Sequence, residues 1–291
     1  MRGLSEIAIH PGNAAQAEAW NGAQGRRWRD HQERHDLMLR PVSDLLLPAA
    51  AARRGERIVD VGCGCGELAV ALAERVAPEG SVLAVDISEP MLALARELAP
   101  AGLPVRFARA DATTYVFETG SADLVFSRFG VMFFADPAHS FANLRRALKP
   151  GGRLVFACWR QAKKNLWAIA PLREAKKHTA PFPETGPEDP GPFSFGDEAR
   201  VRRILGGAGF ANVSLMPHDL KVDIAIGRGL DSAVETAMAI GPTSRLLAEE
   251  SEAVRAAAEA DIRKMLATHR VGDTVPLDAA IWVVSASNPG A

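Results

Sequence analysis

The chain is short of several residues that common chemistries require. It has a single tyrosine, Tyr115, in 291 residues, and the position four further on is Thr119, so no Tyr-x-x-x-Lys proton relay can form there. It has three cysteines, Cys63, Cys65 and Cys158. A four-ligand zinc site draws on two spaced pairs, and the C-x-C at 63–65 has no second pair, so no metal is expected. The 34 basic and 35 acidic residues leave a net charge of −1, which lacks the basic excess of a nucleic-acid partner. The Arg26, Arg27, Arg29 and Lys163, Lys164, Lys176, Lys177 groups read as solvated helix faces. No apolar run reaches the ~18 residues of a membrane span. MRGLSEIAIHPG has no long apolar core, so a secretory signal is not expected and the chain reads as cytoplasmic. What the chain does have is 47% hydrophobic residues, enough for a sizeable core.

It also has one informative motif. Residues 58–66 read IVDVGCGCG, and twenty positions past the last glycine stands Asp86, within VLAVDIS. Ile58 to Val61 read as a buried strand, Gly62, Gly64 and Gly66 follow, and a helical pattern starts at Glu67. A glycine-rich turn between strand and helix lets a ligand touch bare backbone. A carboxylate ending the next strand can accept hydrogen bonds from a ribose diol. The pair points to an adenosine-type cofactor.

A dinucleotide turn counted from Gly62 would place its third glycine at 67, where Glu67 stands. Sliding the frame to Gly64, Gly66 and Ala69 keeps Glu67 beside the phosphates, and Asp60 adds a second negative charge. A cationic cofactor suits this turn better than a diphosphate. S-adenosylmethionine carries a sulfonium and an ammonium, and its one carboxylate can meet the helix N-terminus. VDVGCGCG (59–66), VLAVDIS (82–88), RADATTYVF (109–117), ADLVFSRFGVMFFADP (122–137) and LKPGGRLVFACW (148–159) stand in the order of the class I S-adenosylmethionine-dependent methyltransferases, and the chain resembles that family. WNGAQGRRW (20–28), IGPTSRLL and AAIWVVSAS resemble a bacterial small-molecule subgroup.

Strand and helix alternate: strands at 57–61, 81–86, 104–109, 122–127 and 152–159, helices at 67–77, 89–99 and 137–148. This predicts a doubly wound α/β fold, a mostly parallel Rossmann-like sheet covered on both faces. The resemblance implies seven strands in the order 3-2-1-4-5-7-6 with the last antiparallel. Residues 1–50 read as an N-terminal helical cap, with helices at 13–30 and 36–50, the second interrupted or started at Pro41. Residues 51–160 read as the cofactor-binding core and 161–197 as a proline-rich substrate lid, with loop over 181–192. In 198–291, a helix over 198–206 capped by Asp197 and a strand over 212–226 precede a helical insertion at about 231–268, read as helices at 231–240 and 244–268. A strand at 277–286 closes the chain. Ser88 reads as a helix N-cap.

The resemblance places Asp60 on the methionyl ammonium, Asp86 on the ribose, and Asp111 with the Ala112 amide on the adenine edge. Gly62, Cys63, Gly64 and Gly66 shape the loop, Ile87 and Met91 flank the adenine, and Ser127 meets the methionine. Ordinary roles stay open beside these: a helix cap for Asp86, a turn residue for Asp60, loop capping for Asp111, core packing for Ile87 and Met91. Methyl transfer is an in-line displacement, to which positioning contributes about 7–11 kcal/mol and a general base about 10²–10⁴ in rate. The candidate catalytic residues are His31 and His35, one helical turn apart, and Arg128, which can alternatively pair with Asp136. An exposed helix face is the ordinary reading of the two histidines. Trp20, Trp28, Phe129, Phe133 and Trp159 are candidates for an apolar substrate pocket, with core packing as the alternative. The sequence thus predicts an S-adenosylmethionine-dependent methyltransferase acting on a small, partly apolar acceptor, with a homodimer allowed. Two other readings stay open, an NAD-dependent oxidoreductase and a non-catalytic cofactor-binding regulator.

Overall fold

The computed structural model describes residues 7–181, 186 and 188–290. The opening six residues, and 182–185 and 187 of the expected proline-rich loop, lie outside the described residues. Three helices lead: α1 (Ala14–Asn21), α2 (Ala23–Asp30) and α3 (Gln32–Ala50). The pattern predicts one helix over 13–30, but the chain breaks at Gly22, and α2 then folds tightly against the end of α1. A Cβ on Gly25 would lie 1.8 Å from the Trp20 carbonyl oxygen, so only glycine permits this approach. α3 begins before the expected residue 36 and runs through Pro41 and Pro48. An interior proline costs about 3 kcal/mol or more. Met38, Leu39, Val42 and Leu46 are almost fully buried on this helix, and burial stabilises each by roughly 1.5–3 kcal/mol, which offsets both prolines.

The core then alternates as the periodicity predicts: β1 (Arg57–Val61), α4 (Glu67–Val76), β2 (Ser81–Asp86), α5 (Glu89–Leu98), β3 (Val105–Arg109), β4 (Ala122–Arg128), α6 (Pro137–Ala147) and β5 (Leu148–Trp159). Ile58 to Val61 are all buried, the mark of a strand covered on both faces. Beyond β5 come α7 (Leu166–Ala175), α8 (Glu198–Gly207), β6 (Ala211–Asp223), α9 (Gly229–Ala239), α10 (Gly241–Leu246), α11 (Glu252–Ala267) and β7 (Pro276–Ser287). The sheet order is β3-β2-β1-β4-β5-β7-β6. β1 to β5 pair in parallel, and β7 runs antiparallel to both β5 and β6. Strand order reverses direction between β1 and β4, which opens a crevice at their carboxyl ends.

Two further elements, beyond the cap helices, depart from the sequence pattern. α7 lies within the stretch read as lid; it buries Trp167, Ala168 and Ala170 and packs on α9, α10 and α11. The helix predicted over 244–268 is two, because Ser251 starts α11 anew by accepting the Val254 N–H at 3.3 Å.

Candidate functional site

The crevice between β1 and β4 opens into a cavity of about 1450 Å³ including its mouth. Its floor is the β1–α4 turn. Gly62 adopts φ +69°, and a Cβ there would lie 2.6 Å from Gly130 Cα. Gly64 adopts φ +57°, and a Cβ there would meet nothing nearer than Trp28 Nε1 at 4.0 Å. Gly62 is therefore required by packing, whereas the space over Gly64 is the cavity itself.

Two carboxylates flank this turn. Asp86, at the end of β2, accepts the Gly64 N–H and the Ser88 N–H, each at 2.8 Å. A carboxylate offers about four acceptor positions, so Asp86 keeps capacity for a diol. Burial raises its pKa, and the backbone hydrogen bonds oppose the rise. Asp60 on β1 is buried, and its Oδ2 is an orphaned polar atom. Burial pushes its carboxyl up to about 7, with Arg128 opposing and Asp86 reinforcing. An orphaned buried carboxylate wants a cation or a donor. S-adenosylmethionine fits these residues: its ammonium suits Asp60, its ribose Asp86, and its bulk the space over Gly64.

The cap closes over this floor. Asn13 donates to both Asp111 oxygens and to Thr113 Oγ1 at 3.0 Å each, and accepts the Ala135 N–H at 2.9 Å. Asp111 also accepts the His10 N–H and the Thr113 N–H, each at 2.9 Å. The carboxylate read from sequence as an adenine ligand thus fastens the N-terminal segment, which is closer to the loop-capping alternative. The Ala112 N–H has no acceptor among the described residues. Ser88 stands at the α5 N-cap, but its hydroxyl donates to the Trp20 carbonyl at 2.7 Å, and Asn21 of the cap accepts the Glu89 N–H instead.

Arg128, at the end of β4, does not pair with Asp136, which caps α6. Its guanidinium donates to Glu67 Oε2 at 2.6 Å, Ser43 Oγ at 2.8 Å and Asp36 Oδ1 at 3.3 Å. It therefore ties α3 to α4 and β4. Burial raises the Asp36 carboxyl to about 7, against the pull of Arg128.

The aromatic residues form two groups. Trp20 packs edge-on against Trp28 and Phe133, with ring centroids 5.8 and 5.3 Å apart, in a cluster with Met91 and Cys65. Opposite, Phe129 stacks on Trp159 at 4.2 Å, and Trp167 adjoins at 4.9 Å. Phe129 sits at φ +68°, a left-handed conformation that costs a non-glycine residue about 1–3 kcal/mol and collects at functional sites.

Of the sequence-predicted residues, all but His31 and Ser127 line the cavity. Ser127 is fully buried and donates to the Val61 carbonyl at 2.7 Å, tying β4 to β1. His31 lies at the junction of α2 and α3, where its carbonyl accepts from the His35 ring. His35 is not on an exposed helix face: it is 2% exposed and stacks on Trp28 at 3.8 Å. Sequence reasoning missed Asn13, Asp36, Met38 and Leu39 on the cap side and Ile240 and Gly241 between α9 and α10, all of which line the cavity. The only sequence signal for Asn13 is the Pro11-Gly12 turn before it; Ile240 and Gly241 open the IGPTSRLL stretch, which carries the subgroup resemblance but no sign of a place in the cavity.

A seven-stranded sheet with a cationic nucleoside site at the β1–β4 crevice defines a class: Rossmann-like proteins that bind S-adenosylmethionine. Residues 58–152 match the family model described as a methyltransferase domain. The nocamycin O-methyltransferase of Saccharothrix syringae is 35% identical over 193 residues, 63% of this chain and 69% of that protein. A demethylmenaquinone methyltransferase of Thermus thermophilus is 43% identical over 131 residues, 42% of this chain and 59% of that protein. The Haemonchus contortus phosphoethanolamine N-methyltransferase 2, solved with S-adenosyl-L-methionine, shares the fold with a TM-score of 0.59 at 18% identity, over 97% of this chain and 61% of that one. The chain belongs to the class I S-adenosylmethionine-dependent methyltransferases.

Proposed function

We propose that the protein transfers a methyl group from S-adenosylmethionine to a small, partly apolar acceptor. The observation that carries this reading is the pairing of an orphaned, buried Asp60 oxygen with the open space over Gly64. A cation is wanted there, and room for one adjoins the backbone. When bound, the cofactor supplies an activated methyl group on its sulfonium.

The chain's own residues orient and exclude water. Asp60 holds the ammonium, Asp86 the ribose, and the Ala112 N–H an adenine nitrogen. Ile87 and Met91 flank the base beneath Trp20. Asn13, seated on Asp111, closes the N-terminal segment over this end of the cavity. The Phe129–Trp159 stack faces the acceptor with flat apolar surface. The two curated relatives are named for a demethylmenaquinone and for nocamycin, and an acceptor of mixed apolar and polar character suits this lining. The 160–195 segment contributes Trp167 and Pro192 to the same enclosure. A cytoplasmic setting agrees with three cysteines that form no disulfide among the described residues. The homodimer that the sequence allows is checked by sedimentation.

Parallel calorimetry with S-adenosylhomocysteine and NAD tests the assignment. S-adenosylhomocysteine binds the wild type, NAD does not, and Asp86→Asn weakens the former at least tenfold in a protein that still folds, with melting lowered by the one backbone N–H its amide no longer accepts. Tight NAD binding with no response to S-adenosylhomocysteine overturns it.

A further inference from the structure

His35 has no part in the cofactor assignment above, yet it lines the same cavity. Its Nδ1 lies 2.9 Å from the His31 carbonyl oxygen. A carbonyl only accepts, so Nδ1 carries the proton and Nε2 presents a lone pair. That Nε2 is buried and has no hydrogen-bond partner. The ring cannot turn away to find one: it is 2% exposed and stacked on Trp28 at 3.8 Å with 15° between planes. The structure thus holds a neutral acceptor, fixed in tautomer and orientation, buried in the cavity wall. Leaving it unmet costs free energy, which a donor arriving with a ligand would recover.

Resting on the methyltransferase reading, we propose that His35 Nε2 selects and orients the methyl acceptor by receiving a hydrogen bond from a neutral hydroxyl or N–H on a flat apolar molecule. The site then discriminates against carboxylates, which bring no proton to Nε2. Arg128, the cation of the cavity wall, already has Glu67 and Asp36 as partners and gives such an anion no free counter-charge. The role is positioning by direct contact rather than proton removal. Burial drives the imidazole down to about 3, with the His31 carbonyl opposing the fall and Arg128 and Arg34 adding to it, so it is a poor proton sink at neutral pH.

The test uses three probes of one shape, 2-naphthol, 2-methoxynaphthalene and 2-naphthoate, titrated into the protein saturated with S-adenosylhomocysteine. The wild type is expected to bind naphthol about tenfold tighter than the ether or the carboxylate. His35→Phe keeps the stack on Trp28 and loses that preference, and His35→Gln, which restores an acceptor oxygen, regains part of it. A wild type that binds naphthol and its ether alike, or none of the probes, overturns the proposal without any variant needing to fold. So does a His35→Phe protein that keeps the preference. S-adenosylhomocysteine binding, measured in the same samples, separates failure here from failure of the methyltransferase reading.

Discussion

At the scale of the residue, the site is built from groups held in states they would not choose in water. Asp60 is the clearest. An aspartate in the unfolded chain loses its proton near pH 4, whereas folded Asp60 holds it to about 7. Between those values the folded state binds more protons, so stability falls as pH rises through the window and stays lower above it. Asp36 shifts the same way for the same reason. Asp60→Asn should therefore melt higher than wild type at pH 8, by roughly 2–6 °C, and about equally at pH 4. The remaining slope belongs to Asp36 and Asp86, which shift the same way, and is opposed below about pH 6.5 by His35, whose lowered pKa makes stability rise with pH. Thermal melts across pH 4–8 check this, and equal wild-type and variant melts at pH 8 would show that Asp60 is not held protonated. The same substitution should weaken S-adenosylhomocysteine binding, because the neutral amide cannot match an ammonium. Asp60 and Asp86 were legible in the sequence because strand, turn and helix follow one another locally, and the acids sit at strand ends. The state of Asp60 was not, since it depends on burial by elements far along the chain.

At the scale of the element, α3 is the hinge between cap and core. Its apolar face belongs to the main core, while Asp36 and Ser43 on it meet Arg128. Removing Arg128 leaves Glu67 and Asp36 facing each other near Asp60 with no cation. Because Arg128 is 14% exposed at its side chain, the loss is put at about 2–3 kcal/mol rather than the 3–5 of a fully buried pair. Arg128→Leu should lower the urea midpoint accordingly. Asp36→Asn should cost under about 1 kcal/mol, because Asp36 is already partly protonated at neutral pH. If Arg128→Leu unfolds like wild type yet loses turnover, Arg128 acts on the reactants, as the sequence suggested, and not on the fold. The amphipathic period of α3 was readable, but its true start at Gln32 was not, because Pro41 imitates a first-turn proline and only tertiary burial overrides that signal. Arg128 was readable as a strand-end residue. Its partners lie 61 and 92 positions away and left no local trace. Likewise the break before α11 rests on one serine cap in an otherwise helix-favouring stretch.

At the scale of the whole molecule, three distant segments close one cavity. The cap covers it from above, the β1–α4 turn forms the floor, and the α9–α10 junction walls the far side. Arg34 of α3 donates to Ser232 Oγ at 2.8 Å and Thr236 Oγ1 at 2.7 Å on α9, and Arg27 of α2 reaches the Ser244 carbonyl at 3.3 Å on α10. The cap therefore clasps both the sheet and the helical insertion, contacts nearly 200 residues apart in sequence or more. The alternation of strands and helices made the sheet legible; nothing periodic encodes a clasp. Its consequence is mechanical. On the proposed seating between Asp60 and Asp86 the cofactor is covered by Trp20 and Asn13, and its exchange is expected to require residues 7–30 to lift. Bound ligand and closed cap then stabilise each other by the same amount. S-adenosylhomocysteine should slow amide exchange across α1 and α2 while leaving β4 and β5, already deep in the core, unchanged. Asn13→Ala cuts the bridges to Asp111, Thr113 and Ala135, about 1 kcal/mol each at most once water replaces them. It should raise exchange in residues 8–30 of the free protein and speed ligand release by about tenfold or more, with the association rate little changed. Equal release rates for variant and wild type would mean that the segment is not what holds the ligand in, and that the cavity empties by another face.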